Sequence, residues 1–414
     1  MAEDSKPETL WRNRDYNLYW FARAASVLGS QATYVAFPLF ALSLYGDLWR
    51  VSLVTVATYA GGNILSLHAG VLGDVVNRKH AMVLSDVARV AFLGGLAAWT
   101  YTGTPPLIAT CATAFTIGAL GTMFNVVAAA ALPDVVGLRL LPRAVARNES
   151  RDFTLSVLGP PVGAFLYLAD SFAPFAFNAV CCAASAGLLG LLRASPYAPR
   201  HDHRRKAREP VGSMIRHGIR FVWNDRPIRY STIYTTAMNT VLTAGTFTVV
   251  TYLGAGGYET VAGYALAAQA LVGFIGSVMA ETLFTRLSGT YLVALQGFVW
   301  SISLVLIGFV DGPWWIVGLM GLPWLLASAM RLTVATHIAV VTGPDLRARV
   351  AGVRAFAGGL AGPLGPLLAG VLAGAVGYTH TVTVFGGVAA MAVLAFIVIP
   401  HSVKPLRFRR PAPM

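Results

Sequence analysis

Charged residues are scarce in this 414-residue chain: 12% of its residues are charged and 56% are hydrophobic. Soluble domains usually carry about a quarter charged residues. Some stretches have no charge at all, as in residues 233–253. This scarcity excludes an ordinary water-soluble fold and predicts an all-α polytopic membrane protein.

Sequence motifs of catalysis are also missing. The chain has no GxxxxGK[ST] loop, which argues against ATP hydrolysis, and neither an HExxH nor a GxSxG motif. Cys111, Cys181 and Cys182 lie in apolar stretches without CxxC spacing, so we interpret them as small core residues. We therefore expect no enzyme activity, no catalytic residues, no metal site and no cofactor.

The net charge of +13 does not indicate nucleic-acid binding. The basic residues cluster in alternate loops, and no basic groove interleaved with aromatic residues or zinc-finger spacing accompanies them. A nucleic-acid partner is therefore excluded.

Twelve apolar runs are long enough to cross a bilayer as helices. They lie near residues 17–43, 51–73, 80–101, 107–132, 153–169, 174–192, 230–253, 261–285, 290–310, 314–341, 350–376 and 380–399. The connections at 102–106 and 376–380 are very short, which predicts antiparallel neighbours.

Positive charge indicates the orientation. Of the 31 Lys and Arg residues, 25 fall in alternate segments that include both chain ends, whereas the intervening loops contain only Arg50. Loops retained in the cytoplasm are enriched in Lys and Arg. We therefore predict a multi-pass protein of the inner membrane with both termini in the cytoplasm.

A basic polar segment divides the chain into two sets of six helices. Gly159-Pro160 in the first set recurs as Gly365-Pro366 in the second, each after a Pro-Asp pair. Two parallel halves around a midplane site are typical of transporters. The predicted parts are a cytoplasmic segment (1–16), an N-terminal half (17–193), a linker with an interfacial helix (194–229), a C-terminal half (230–400) and a tail (401–414).

The most specific motif is GVLGDVVNRK, residues 70–79, hereafter the signature loop. Gly70 permits close helix contact, and Leu72 follows it two residues later. Asp74 can meet a positive helix N-terminus, and Arg78 and Lys79 can anchor the cytoplasmic face. The pattern predicts a cytoplasmic gate.

This loop resembles the signature of the major facilitator superfamily, Gly-x-Leu-x-Asp-x-x-Gly-Arg-Lys/Arg. It departs at Val75, where a basic residue is usual, and at Asn77, which replaces a Gly and tolerates a left-handed turn. The similarity extends over nearly the whole chain and is greatest to the enterobactin-exporter-like and macrolide-exporter-like branch, in which Asp commonly takes the place of Ser30. The resemblance implies two six-helix halves, alternating access and export.

Charged residues within helices are few and expensive unless paired. Asp86 and Arg89 stand three residues apart and can pair with each other or with the signature loop, which we favour over substrate contact. A basic setting is expected to keep Asp74 and Asp86 ionised. Arg151 and Asp152 can join the same network.

The predicted proton-coupling residue is Glu281, with Asp152 as the rival, because a coupling carboxylate needs an apolar setting or a partner that departs. Arg331 or Arg354 can neutralise Glu281. A fixed salt bridge that ties the second half together is the equally weighted alternative.

Small residues and prolines can bend helices and bring them close together, which shapes an alternating cavity. Those residues are Gly159, Pro160, Gly163, Gly365 and Pro366. Generic packing of glycine-rich membrane helices is the competing interpretation.

The resemblance also implies that the first, fourth, seventh and tenth helices line a central cleft. The polar, aromatic and Met residues at middle depth there are Gln31, Tyr34, Met123, Asn125, Asn239, Thr243, Trp324 and Arg331. Such a lining suits an amphipathic organic compound, including one with negative charge. Polar residues that only hold helices together are the alternative.

The leading hypothesis is a secondary transporter that exports a drug, antibiotic or siderophore in exchange for protons. An importer and a non-transporting receptor or scaffold on the same fold remain as alternatives. The expected partners are a small-molecule substrate, the lipid bilayer and protons, and we expect a monomer.

Overall fold

The computed structural model describes residues 10–75, 77–193, 219–310, 312–341 and 344–401, and over these residues the chain is helical with no β-strand. A short 3₁₀ turn, Leu10–Arg12, precedes the α-helices. The α-helices are α1 (Arg14–Tyr45), α2 (Leu48–Val75), α3 (Arg78–Thr102), α4 (Leu107–Ala169), α5 (Ala173–Gly190), α6 (Arg226–Ala255), α7 (Glu259–Arg286), α8 (Gly289–Ile307), α9 (Pro313–Gly321), α10 (Trp324–Val341), α11 (Pro344–Val376) and α12 (Tyr378–His401).

Within the described residues, ten helical segments are long and apolar enough to cross a membrane. Helix α4 contributes two of them, and α9 with the start of α10 forms another. Helices α2 and α6 are also long, at 28 and 30 residues, but are not among the ten. The all-helical membrane fold is confirmed, and the count of twelve spans stays a prediction.

Helix α4 differs from the sequence prediction. Its 63 residues continue through the expected loop after residue 132, so Asp134 lies on the helix. The break occurs at Gly137, whose φ of 71° and ψ of 163° are non-helical. A positive φ suits glycine because it has no Cβ, and the chain can resume its helix at once. The second span therefore begins near Arg143, ten residues before the predicted start.

The predicted tenth span is two helices. Helix α9 ends at Gly321, and α10 begins at Trp324, directly after Pro323. Proline has no backbone N–H to donate within a helix and is best tolerated at a helix start. The sequence prediction of one run over 314–341 is thus corrected to a run broken at 322–323.

The chain divides into two compact units. Unit 1 comprises residues 1–44 and 57–202, and unit 2 comprises residues 45–56 and 203–414. In unit 1, α3 packs on α4 and α5. A core of Tyr16, Tyr19, Phe124 and other apolar residues joins α1 to α4. In unit 2, α6 packs on α11 and α12, α8 on α12, and α7 on α9 and α10.

Large apolar side chains are also exposed on the outer faces of these helices, for example Leu84, Phe165, Val180 and Val278, each 67% exposed or more. Water would penalise so much exposed apolar surface, and lipid tails would not. The chain is a multi-pass membrane protein.

Most of the predicted linker, residues 194–218, and the tail, residues 402–414, lie outside the described residues. The end of the predicted interfacial helix is visible: residues 219–224 are helical, and Val222 is buried against Ile228 and Val350. Asp225 then caps α6, accepting a hydrogen bond from the Ile228 amide, so the chain turns directly into α6.

Candidate functional site

The signature loop is held by a helix cap. Asn77 has a φ of −58°, and its side chain accepts hydrogen bonds from the amides of Lys79 and His80. Asn is a favoured N-cap because its short side chain satisfies amides that have no partner inside the helix. Asn77 therefore does not use the left-handed conformation that it could tolerate, and it caps α3 instead.

Arg78 and Lys79 join the start of α3 to two neighbouring helices. Arg78 pairs with Asp134 and donates to the Ala130 carbonyl, both on α4. Lys79 donates to the carbonyls of Gly190 and Leu192, where α5 ends. A cation at the carboxyl end of a helix is favourable, because the unsatisfied carbonyls there carry partial negative charge.

The rest of the predicted gate lies on α2. Gly70, Leu72 and Asp74 are helical, but their side chains lie outside the described residues. Their contacts with the rest of the signature loop stay a prediction.

Asp86 and Arg89 form a buried cluster with two serines of α1. Arg89 Nη1 donates to Asp86 Oδ1 over 3.1 Å and to Ser26 Oγ over 2.8 Å. Arg89 Nη2 donates to Ser30 Oγ over 2.6 Å. The Asp86 and Arg89 side chains are 0% and 1% exposed. We call Ser26, Ser30, Asp86 and Arg89 the Arg89 cluster; it ties α3 to α1, and α1 supplies hydroxyls to it.

A second cluster joins α1 to the second span of α4. Arg23 Nη2 lies 3.3 Å from Asp152 Oδ2, and Arg151 donates through Nε to Asp152 Oδ1 over 2.9 Å. Arg151 also donates to the Trp20 carbonyl and to Asn148 Oδ1. We call Arg23, Arg151 and Asp152 the Asp152 cluster. The Asp152 cluster joins α1 to α4, whereas the Arg89 cluster joins α1 to α3.

Helix α1 lies very close to the second span of α4 at two glycines. A Cβ added to Gly159 would overlap Gln31, and one added to Gly163 would overlap the carbonyl oxygen of Ala32. Pro160 lies between these two glycines in the helix. The predicted small-residue contact thus has a defined partner in unit 1.

Unit 2 contains a similar contact. A Cβ added to Gly365 would overlap the Thr243 hydroxyl and lie 2.7 Å from the Ala244 amide nitrogen. Thr243 Oγ1 donates to the carbonyl of Ala361, also on α11. Pro366 lies inside α11. Thr243, predicted as a cavity residue, therefore also holds α6 to α11.

The four predicted cavity residues of unit 1 differ in surroundings. Tyr34 is 44% exposed, and its hydroxyl lies 2.9 Å from that of Tyr59 on α2. Asn125 is exposed, Gln31 is half-buried beside Gly159, and Met123 packs on the core of unit 1. Tyr59 was not among the predicted residues. It lies 25 residues after Tyr34 on another helix, so spacing within one helix could not reveal it as the partner of Tyr34.

In unit 2, Asn239 and Arg331 are exposed. Arg331 Nη2 donates to Ser328 Oγ over 3.1 Å. Trp324 packs edge-on against Trp300, with ring centroids 6.4 Å apart. Asn239 and Arg331 therefore have exposed side chains, whereas Trp324 has a packing partner, and a place for them in the cavity stays a prediction.

The side chain of Glu281 lies outside the described residues, although α7 includes this position. Arg354, one of its two predicted partners, donates to Ser231 Oγ and Thr232 Oγ1 over 3.0 and 2.8 Å. Two hydroxyls of α6 thus hold Arg354. The pairing of Glu281 stays a prediction.

Comparison with known proteins gives consistent matches. The profile of the Major Facilitator Superfamily matches residues 19–362. The "Multidrug efflux pump Tap" of Mycobacterium tuberculosis (strain ATCC 25618 / H37Rv) is 25% identical over 378 residues, which cover 88% of each chain. The protein of the same name from Mycobacterium bovis (strain BCG / Pasteur 1173P2) matches equally.

Solved structures match in fold. The nucleoside transporter NupG has a TM-score of 0.75 at 11% identity, covering 94% of this chain and 99% of that one. A bacterial homologue of the iron transporter ferroportin, in an inward-facing state, has a TM-score of 0.69 at 15% identity, covering 94% and 99%. At these identities the likeness shows the fold alone.

Proposed function

Because the chain belongs to the major facilitator superfamily, we propose that it is a secondary active transporter that exports a small amphipathic organic compound in exchange for protons. Membership makes it a non-enzymatic membrane transporter. The proposal adds the direction, the substrate class and the coupling ion. Alternating access between two six-helix halves is the proposed mechanism.

The observation that carries the direction is the likeness to a named multidrug efflux pump over 88% of both chains. The likeness extends through both units, so it includes the helices on which the predicted cavity residues lie. Export of several compounds fits a lining that mixes aromatic, amide and Met side chains, because such surfaces bind by shape and area more than by one fixed contact.

The exposed polar groups support an amphipathic substrate. Tyr34 and Asn125 in unit 1, and Asn239 and Arg331 in unit 2, are exposed polar or charged side chains on membrane helices. Polar groups at membrane depth are costly in lipid and are stable beside water or a polar ligand. Arg331 adds one cation, which favours a substrate with an anionic group.

We propose that the gate closes on the side of the signature loop, which the distribution of Lys and Arg predicts to be cytoplasmic. Arg78 with Asp134 and Lys79 with the end of α5 supply contacts that hold three helices together on that side. Asp74 is proposed to complete the gate. Both termini then lie in the cytoplasm, and the chain acts as a monomer in the inner membrane.

The test uses everted membrane vesicles from cells that express the full chain. Ethidium is the cationic fluorescent probe and carboxyfluorescein the anionic one. We expect an imposed pH gradient, acid inside, to drive accumulation of at least one probe, and a protonophore to abolish it. Vesicles from cells without the chain are the control.

Other outcomes would identify the alternatives. Accumulation only in right-side-out vesicles would show an importer. Binding of either probe to the purified protein without movement in vesicles of either orientation would show a receptor. Accumulation unaffected by a protonophore would reject proton coupling.

A further inference from the structure

The ion pair of the Arg89 cluster is the most completely buried of the ion pairs in the described part of the chain. Asp86 and Arg89 are 0% and 1% exposed, whereas the other pair with the same spacing, Asp47 and Arg50, is 52% and 54% exposed. A buried ion pair often costs more in lost hydration than its attraction returns. Its presence inside a membrane helix bundle therefore points to a function.

Two atoms of the pair lack hydrogen bonds. Asp86 Oδ2 and Arg89 Nε are buried and have no hydrogen-bond partner, and the same holds for the hydroxyl of Ser185 on α5. Ser185 nevertheless faces Asp86 closely enough to act on its charge. Buried polar atoms are nearly always satisfied, so an unpartnered carboxylate oxygen requires an explanation. The Ser185 hydroxyl can donate to the ionised carboxylate or accept from a proton on Oδ2, so Asp86 has a partner in either protonation state.

Arg89 keeps other partners when Asp86 is neutral. Its Nη1 also donates to Ser26 Oγ, and its Nη2 donates to Ser30 Oγ. Ser30 Oγ in turn donates to the Ser26 carbonyl, and Ser26 Oγ donates to Asp86 Oδ1, so each hydroxyl has its own proton engaged and accepts from Arg89. The guanidinium therefore does not depend on Asp86 alone for its hydrogen bonds.

The other groups around the pair carry no full charge of their own. From α5, Cys182 faces Asp86 and Cys181 faces Arg89. From α1, Gly29 brings the backbone against Asn178 and Cys181, and the serines contribute hydroxyls only. Asp86 thus has one charged partner, Arg89, and it also accepts a hydrogen bond from Ser26 Oγ over 3.4 Å.

We propose that Asp86 binds a proton on Oδ2 in one state of the transport cycle and releases it in another, with Arg89 as its counter-ion. The proton comes from water on one side of the membrane and returns to water on the other. Its binding changes the pair from neutral to a single positive charge, which water stabilises, so protonation favours a state in which water reaches Arg89. The proposal rests on the proposed function and adds a proton site in unit 1 to the one predicted at Glu281.

The first experiment measures protonation without any substrate. Infrared difference spectra of the purified full chain in lipid nanodiscs are recorded as the pH is lowered. Exposed Asp and Glu side chains protonate near pH 4, so spectra above about pH 5.5 report perturbed carboxyls. We expect a carboxylic acid band that Asp86→Asn removes and the matched variant Asp47→Asn retains. A band unchanged in Asp86→Asn, or no band in the unmodified chain, would overturn the proposal.

Asp86→Asn alone leaves Arg89 without a counter-ion and can prevent folding. Two double variants keep the test decisive in that case. Asp86→Asn with Arg89→Gln removes both charges, and we expect a folded protein without the band. Asp86→Asn with Ser30→Asp moves the carboxylate to another contact of the same guanidinium, and we expect the band to return. A neutral double variant that keeps the band would contradict the assignment.

The second experiment measures coupling with ethidium in everted vesicles. We expect the neutral double variant to lose accumulation driven by a pH gradient and to keep gradient-independent ethidium exchange. Accumulation equal to that of the unmodified chain would overturn a role in coupling. If the unmodified chain moves no ethidium but shows the infrared band, the proposed function fails for this probe while protonation of Asp86 stands.

Discussion

Arg23 and Asp152 connect α1 to the second span of α4 through an ion pair of 3.3 Å, and Arg151 takes the other carboxylate oxygen at 2.9 Å. One carboxylate thus balances two guanidinium groups. Arg151 is 2% exposed and also contacts α1 through the Trp20 carbonyl. The Asp152 cluster therefore holds α1 against the second span of α4. A proton on Asp152 would leave the guanidinium groups of Arg23 and Arg151 without a negative partner.

We predict that Asp152→Asn lowers the stability of the protein as well as its transport. Removing one partner of a buried ion pair costs roughly 3–5 kcal/mol, and the cost here is expected to be lower because Asp152 is 31% exposed. The unfolding temperature of the purified protein measures this, with Asp47→Asn as the exposed control. An unchanged unfolding temperature together with a selective loss of pH-driven transport would instead make Asp152 a coupling residue.

A methyl group at Gly163 is expected to separate α1 from α4. In Gly163→Ala the new Cβ overlaps the Ala32 carbonyl, and backbone cannot move aside without shifting a helix. The matched control is Gly94→Ala, because a Cβ there meets nothing within 4 Å. The control should be neutral or stabilised by roughly 0.5–1 kcal/mol, since alanine suits helices better than glycine.

Transport assays and unfolding temperatures of these two variants check the prediction. We expect reduced ethidium transport and a lower unfolding temperature for Gly163→Ala only. Equal behaviour of both variants would favour generic packing over a specific close contact.

Composition and charge predicted the helical membrane fold because apolar runs of about 20 residues have few alternatives in a bilayer. The break at Gly137 was not predictable in this way, since hydropathy does not report one residue with a positive φ. The cap formed by Asn77 was not predicted, because the family pattern has a Gly at this position and drew attention to the turn that Gly would make.

The Arg89 cluster shows how far the sequence alone can predict the residues of a site. Spacing of three residues predicted that Asp86 and Arg89 pair with each other. The sequence also predicted a basic setting for Asp86, but in the structure Asp86 is buried beside one arginine. The serines of α1 lie about 60 residues earlier in the chain, and such contacts depend on how helices pack.

The next prediction concerns the proposed gate, in which Arg78 pairs with Asp134. Asp74→Asn should lower transport without changing the amount of folded protein, because Asp74 is expected to act in one state of the cycle only. Asp134→Asn removes the carboxylate partner of Arg78, whose side chain is 21% exposed and also donates to the Ala130 carbonyl, and should cost about 1 kcal/mol. Vesicle transport and the yield of folded protein measure both. Normal transport by Asp74→Asn would reject its role in the gate.

Topology can be tested by labelling of single cysteines after Cys111, Cys181 and Cys182 have been replaced by alanine. Ser171→Cys and Gly256→Cys lie between helices at the predicted outer face, and we expect an impermeant maleimide to label them in intact cells. His203→Cys in the linker should label only after the cells are permeabilised. Labelling of His203→Cys in intact cells would reverse the assigned orientation.

The last prediction concerns Glu281, the coupling residue predicted for the second half of the chain. Arg354 is already held by two hydroxyls of α6, and Arg331 by Ser328, so neither arginine depends on Glu281 for all of its described hydrogen bonds. A carboxylate whose partner can leave without loss is able to change protonation during a cycle. Glu281→Gln should therefore abolish transport driven by a pH gradient, yet preserve ethidium binding and gradient-independent exchange. Accumulation assays and equilibrium binding in the same vesicles separate these effects. If the variant still concentrates ethidium against its gradient while Asp86→Asn does not, coupling depends on the Arg89 cluster, and Glu281 is a structural partner of Arg331 or Arg354.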